Sequence, residues 1–450
     1  MKLADYIPFY KRNLHLALPV VISQIGQVSV SLVDNMMVGH VGTVELAAAS
    51  FANNVFINGM VFGMGITFGL TPLVGNAFGK GNLREAVIWL KNGIVTHAAV
   101  SVVLFLIMTG IYFLLPFMGQ TEEVTRLAGP YYLLLCLSYI PFLLFFSMKQ
   151  FFEGIGNTRM AMHITITANL TNILFNYLFI YGKFGFPEMG LNGAGMGTLI
   201  SRFIMPLMFT FYILKVPAFR RYFTLAKQQV ISREKIARLL KIGIPIGFQI
   251  IVEVIAFSIG AIMMGWHGEV PLAAHQVAIG MATFTYMISL GISQANTIRV
   301  SHQMGVKDFH SLKMAAVASS HLVLLFMSSM GLVFILTRQY LPFLFTTDPE
   351  VISIAAGLLV IAAIFQVFDG LQVVMLSTLR GMADVKLPMF MAIFSYLFLG
   401  IPVSYIFSFV FDSGPVGIWF GYLVGLGTAG ILFFLRFRHN LKKLSGVFNP

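Results

Sequence analysis

The chain has 450 residues, of which 58% are hydrophobic and only 10% charged, with a formal net charge of +12. Soluble domains carry roughly 25% charged residues, and so few charges cannot cover this much apolar surface, which excludes a soluble protein. The basic balance does not point to nucleic acid either, because the charges gather in loops on one side of a series of apolar runs.

The first of these runs, 14–38, is long enough to cross a hydrocarbon core about 30 Å thick. It lacks a small-residue cleavage site, so a transmembrane helix is expected there and not a signal peptide. Further runs follow at 46–76, 88–116, 128–152, 160–181, 191–214, 241–265, 272–300, 312–337, 351–379, 387–411 and 415–437. The reading is an all-α, multi-pass integral membrane protein with twelve spans. Lys and Arg in its loops alternate in density. The N-terminus (Lys2, Lys11, Arg12), every even loop and the C-terminus hold 25 of the 29, among them Lys149, Arg299 and Arg380. Odd loops hold only Arg126, Lys183 and Arg338, and Arg202 lies inside a span. By the positive-inside rule both termini are expected in the cytoplasm, with the protein in the plasma (inner) membrane.

The sixth loop is basic and amphipathic, and a linker lying on the inner membrane surface is expected at 216–240. It joins two halves, 1–215 and 241–450, that repeat. At a shift of 226, Pro19 meets Pro245, Met37 meets Met263, Gly42 meets Gly268 and Gly79 meets Gly305. Six spans per copy is an even number, so the copies share one topology and form a 6+6 parallel pseudo-repeat of two six-helix lobes. Interior prolines (Pro19, Pro72, Pro141, Pro206, Pro245) supply places to bend.

Three acids fall well inside spans: Asp34 in the first, Glu253 in the seventh and Asp369 in the tenth. An intramembrane carboxylate costs roughly 2.5–3.5 kcal/mol or more to insert, so it usually marks an ion or substrate path. Each acid has polar company at helical spacing. Gln24, Gln27 and Ser31 share a stripe with Asp34; Gln249 lies one turn before Glu253; Gln366 and Gln372 flank Asp369. Span five adds Asn169, Asn172 and Asn176 along one face, and Thr198 is read as opening the helical part of span six after a glycine-rich approach. The plainer alternatives are neutral core acids that fix helix register, amides that bond helices together, and a capping threonine. The acids do not follow the repeat, since Asp34 meets Gly260 and Glu253 meets Gln27. Each lobe therefore has its own polar site.

The single cysteine, Cys136, precludes an internal disulfide, and no nucleotide-binding loop or paired metal-spaced histidines occur within a span. No cofactor is expected, and ATP-driven pumping and metal catalysis are disfavoured.

Four strings carry a family resemblance: VDNMMVGHVGTVELAAAS at 33–50, EGIGNTRMAM at 153–162, LGISQANTIRVSHQMG at 290–305 and FDGLQVVMLSTLRGMADVKLP at 368–388. With twelve spans and a repeat, the chain resembles a multidrug and toxic compound extrusion (MATE) transporter of the NorM type over its whole length. The resemblance implies a V-shaped pair of lobes around a central cavity. It implies a secondary transporter, not an enzyme, that exports organic cations and amphipathic drugs against H⁺ or Na⁺. Asp34, Asn172, Asn176 and Thr198 would form the N-lobe site, and Glu253 with Asp369 the C-lobe one, with Na⁺ held at the same acids if it binds. NorM-type relatives tend to have Tyr four residues before the tenth-span acid; here it is Phe365, one oxygen fewer, which shifts the expectation toward H⁺. The competing function is a flippase for a lipid-linked precursor, whose pyrophosphate would call for Arg or Lys in the cavity. The acids favour a cation. A channel is disfavoured by two non-equivalent lobes, and a monomer in the lipid bilayer is expected.

Overall fold

The computed structural model describes residues 3–448, so Lys2 of the N-terminal basic group lies outside them. Among the described residues there are no strands and twelve helices long and apolar enough to cross a membrane. They are α1 (Ile7–Gly39), α2 (Thr43–Gly79), α3 (Leu83–Phe117), α4 (Glu122–Gly154), α5 (Thr158–Tyr181) and α6 (Leu191–Lys215). After a linker helix, Pro217–Gln228, come α7 (Arg233–Trp266), α8 (Glu269–Val306), α9 (Phe309–Thr337), α10 (Pro349–Gly381), α11 (Lys386–Val410) and α12 (Pro415–Gly446). The protein is an integral multi-pass membrane protein. The first three helices of the second set begin 226 residues after those of the first, so the repeat extends to helix boundaries. Even a cap repeats: Asn82 accepts from the Glu85 amide before α3, and Asp308 from the Ser311 amide before α9.

Most helices outrun their apolar stretches by several residues, because polar turns continue them beyond the hydrocarbon. Lys149, Arg299 and Arg380 are consequently helical residues and not loop residues as expected from the charge count. Lys149 is buried and pairs with Glu153 at 3.7 Å, a fourth internal carboxylate.

Two helices break where a proline requires it. A proline ring clashes with the carbonyl four residues earlier and offers no N–H to it. For Pro72 and Pro141 those carbonyls belong to Phe68 and Leu137, which end the first segments of α2 and α4. Helix α11 departs from α geometry instead, with π-helical stretches at Phe394–Gly400 and Ile406–Val410. Such wide turns recur at functional sites.

The chain forms two compact units. One is Ile22–Gly247; the other takes the residues up to Val21 together with those from Phe248 on. The lobes expected from the sequence have their seam at the linker, whereas these units divide within α1 and α7. Both divisions fall two residues after an interior proline, Pro19 and Pro245. Close packing holds each first half in place. On α7, a Cβ at Gly243 would come within 2.4 Å of the Ile66 carbonyl on α2. On α8, one at Gly291 would come within 2.3 Å of the Val21 side chain on α1. Asn13 of α1 also donates to the Ala315 carbonyl and to Ser319 of α9, at 3.0 and 2.8 Å.

The linker is docked in the first unit. Phe219 and Tyr222 pack edge-on against Phe152 and Phe151 of α4. Lys91 of α3 donates to the Gln229 carbonyl at 2.6 Å, and the Ser232 amide donates to Asn92 at 2.8 Å.

Candidate functional site

In the first unit, α1, α5 and α6 bring four side chains into one hydrogen-bonded string. Asn176 Nδ2 donates to Asp34 Oδ1 at 2.6 Å and to Asn172 Oδ1 at 3.3 Å. Asn172 Nδ2 in turn donates to Thr198 Oγ1 at 3.3 Å. Both amides are buried, while Asp34 at one end of the row and Thr198 at the other are partly exposed. Asn176 Oδ1 is buried with no hydrogen-bond partner. Its space comes from α6: a Cβ at Gly197 would stand 2.0 Å from that oxygen.

Thr198 corrects one expectation. Helix α6 begins at Leu191, so the glycine-rich stretch is already helical and Thr198 stands within the helix as a partly exposed side chain, not a cap. Gly193 explains the glycines, since a Cβ there would lie 2.5 Å from the Phe179 carbonyl on α5. They exist to let two helices touch.

The supporting residues divide. Gln24 is buried, and Ser31 is exposed and donates to the Gln27 carbonyl on its own helix at 3.2 Å. Among the described residues, none of Gln24, Gln27 and Ser31 bonds to Asp34. Asn169 Nδ2 is buried without a partner, facing Gly26 of α1.

Arg202 lies one turn beyond Thr198. Its guanidinium rests against the rings of Phe56 and Phe142, 5.1 and 4.7 Å from their centres, and donates to Ser138 Oγ at 2.6 Å. Tyr131 accepts from Asn53 at 3.2 Å and lies in the fields of both Asp34 and Arg202.

The second unit holds the other acids. Asp369 is 5% exposed, and its Oδ1 has no hydrogen-bond partner. Glu253 lines a small pocket together with Phe257, Tyr396, Ser404 and Tyr422. The charges of Glu253 and Asp369 reach each other and also Tyr286 and Tyr396. Gln372 donates to the Tyr396 hydroxyl, and its own Oε1 is buried and unpartnered. Among the described residues, those buried with an oxygen that has no donor include Asn176, Asp369 and Gln372 of the two polar sites. A buried acceptor in that state is costly until a hydrogen-bond donor or a cation satisfies it.

Gln366 is employed differently. It accepts from Thr285 at 2.9 Å and donates to the Met327 carbonyl at 3.2 Å, which ties α8 and α9 to α10. Gln249 donates to the Val385 carbonyl at 3.1 Å and accepts from Arg380 Nε and Nη2 at 3.2 and 3.1 Å. Phe365 sits in an aromatic cluster with Phe257, Trp419 and Tyr422.

Two stretches of the chain, 19–178 and 245–406, match the MatE family, and their starts are 226 residues apart, the spacing of the repeat. The chain belongs to the MatE family. It is 30% identical to the multidrug resistance protein NorM of Aliivibrio fischeri, over 88% of this chain and 86% of that one. It is also 30% identical to the multidrug resistance protein MdtK of Yersinia pseudotuberculosis, over 89% of this chain and 88% of the relative. The crystal structure of the eukaryotic MATE transporter AtDTX14 superposes with a TM-score of 0.87, covering 98% of both chains at 20% identity. That likeness carries the twelve-helix fold.

Within this MatE chain, sequence reasoning missed Tyr131, Tyr286, Tyr396 and Arg380 as neighbours of the acids. Tyrosines in an aromatic-rich membrane protein carry no signal of their own. Arg380 did: it stands eleven residues after Asp369, three helical turns, and therefore on the same face of α10.

Proposed function

We propose that this MATE-family transporter exports cationic and amphipathic organic compounds by antiport with H⁺ or Na⁺, through alternating access, as a monomer in the plasma (inner) membrane with both termini cytoplasmic. The observation that carries the reading is the Asp34 string: a partly exposed carboxylate backed by two buried amides and a hydroxyl. Asn176 orients the carboxylate with one N–H and leaves its second oxygen lone pairs to an incoming cation. A coupling cation and an organic cation then compete for one negative charge, and occupancy by one releases the other.

Glu253 and Asp369 support a second cation position. Two carboxylates whose fields overlap cannot both stay ionised cheaply, so the pair favours taking up one positive charge. A flippase for a pyrophosphate-bearing lipid is less well supported, because Arg202 is engaged by Ser138 and two rings, and the charge of Arg380 falls on Glu253.

The test is uphill movement of a fluorescent organic cation in liposomes containing the purified protein, under an imposed pH gradient and then an imposed Na⁺ gradient. Accumulation against the gradient in either arm supports antiport and names the coupling ion. No movement in either, with protein shown to be folded, overturns the reading and brings lipid-linked substrates forward.

A further inference from the structure

We propose that Arg380 is the resident counter-cation of Glu253, and that its charge sets how strongly this site binds the coupling cation. The inference rests on the reading that Glu253 and Asp369 receive that cation, and adds the residue that opposes it.

The geometry is specific. Arg380 lies on the Asp369 face of α10 and reaches across to α7, where both Nε and Nη2 bond the same oxygen, Gln249 Oε1, at 3.2 and 3.1 Å. Gln249 is one turn before Glu253 on α7, is 1% exposed, and is anchored by its own amide to the Val385 carbonyl. The guanidinium is therefore held in place by a neutral acceptor. A carboxylate at position 249 could accept from the guanidinium and would cancel its charge, at the cost of the bond to the Val385 carbonyl; a glutamine keeps both bonds and leaves the charge uncompensated at short range. Among the described residues Arg380 is in no ion pair within 4.0 Å. Its field falls on Glu253 of α7, Tyr286 of α8 and Tyr396 of α11, and the Glu253 charge in turn acts on Asp369. Of these, Glu253 is the carboxylate that the Arg380 charge reaches.

An ionised acid here is thus partly neutralised before any ion arrives. A proton or Na⁺ that binds must displace that electrostatic partnership, which weakens binding and makes release easier. Transport requires both entry and release, so a site without the resident charge would hold its ion too well.

The experiment is thermal melting of the detergent-purified full chain, titrated with Na⁺ at fixed pH and with H⁺ in the absence of Na⁺, taking the half-saturating concentration from the shift in midpoint. Glu253→Gln identifies which part of the response belongs to this site. Removing a unit charge at an effective dielectric near 20 should lower the half-saturating cation concentration roughly tenfold in Arg380→Gln, while Arg380→Lys, which keeps the charge, stays within about twofold. Gln249→Glu keeps an acceptor for Arg380 and cancels its charge, though it gives up the donation to the Val385 carbonyl, so it should also lower the value, and it decides the matter if Arg380→Gln does not fold. An unchanged value in Gln249→Glu, an equal shift in Arg380→Lys and Arg380→Gln, or no Glu253-dependent cation response in the wild type would each overturn the proposal. Failure of drug transport in liposomes with the cation titration intact would remove the antiport reading and leave this one standing.

Discussion

The amide of Asn176 reaches Asp34 across 2.6 Å, joining residues 142 positions apart. That bond turns an isolated acid in α1 into the end of a row that runs through α5 to Thr198 of α6. It also makes the acid's role testable separately from its packing.

Asp34→Asn preserves the side-chain shape and removes the ionisable group. Transport of an organic cation in liposomes should fall to background, with the melting midpoint within a few degrees of wild type. Wild-type transport in that variant would sink the mechanism in the first unit.

Gly197→Ala tests the row without touching the acid. Its methyl group would enter within 2.0 Å of Asn176 Oδ1 and push the amide out of line with Asp34. Overpacking of this kind costs about 1–3 kcal/mol. The expected result is a lowered melting midpoint together with several-fold weaker transport. Unaltered transport would mean that the exact seat of Asn176 is unimportant.

Glu253→Gln and Asp369→Asn should each change the dependence of transport on Na⁺ or H⁺, since each removes one of two carboxylates whose fields overlap. The check is transport rate against coupling-ion concentration. If both variants keep the wild-type rate and ion dependence, the two acids are structural polar residues only.

Asp308 lies between α8 and α9, where Ser311 hydrogen bonds to its carboxylate hold its pKa below the usual value. The bonded, ionised form stabilises the fold, so the contribution is complete above the unfolded value of about 3.9 and is lost as pH falls through the lower folded value. Asp308→Ala should cost about 1 kcal/mol near neutral pH, as for a lost helix cap. The midpoint difference from wild type should shrink as the solution is acidified toward pH 3. A difference that persists undiminished in acid would assign the effect to something other than the cap.

What could be read in one dimension was what depends on one dimension. Span number follows from the length of apolar runs, and the repeat from a single offset of 226 that later reappears in helix starts and in the two MatE matches. Asp34, Glu253 and Asp369 were legible because a charge in an apolar run is costly wherever the chain goes. The tertiary structure decided the rest. Which amide meets Asp34 depends on how close α5 and α6 approach, and that is set by glycines such as Gly193 and Gly197, whose meaning is invisible without the neighbouring helix. Whether Arg380 is a loop charge or a partner of Gln249 depends on how far α10 continues past its apolar stretch. Likewise Gln249 and Gln366 look alike in sequence, yet one holds an uncompensated guanidinium and the other ties three helices together. Hydrophobic run length determines that a segment enters the membrane; contact across helices, at a few tenths of an ångström, determines what its polar residues do there.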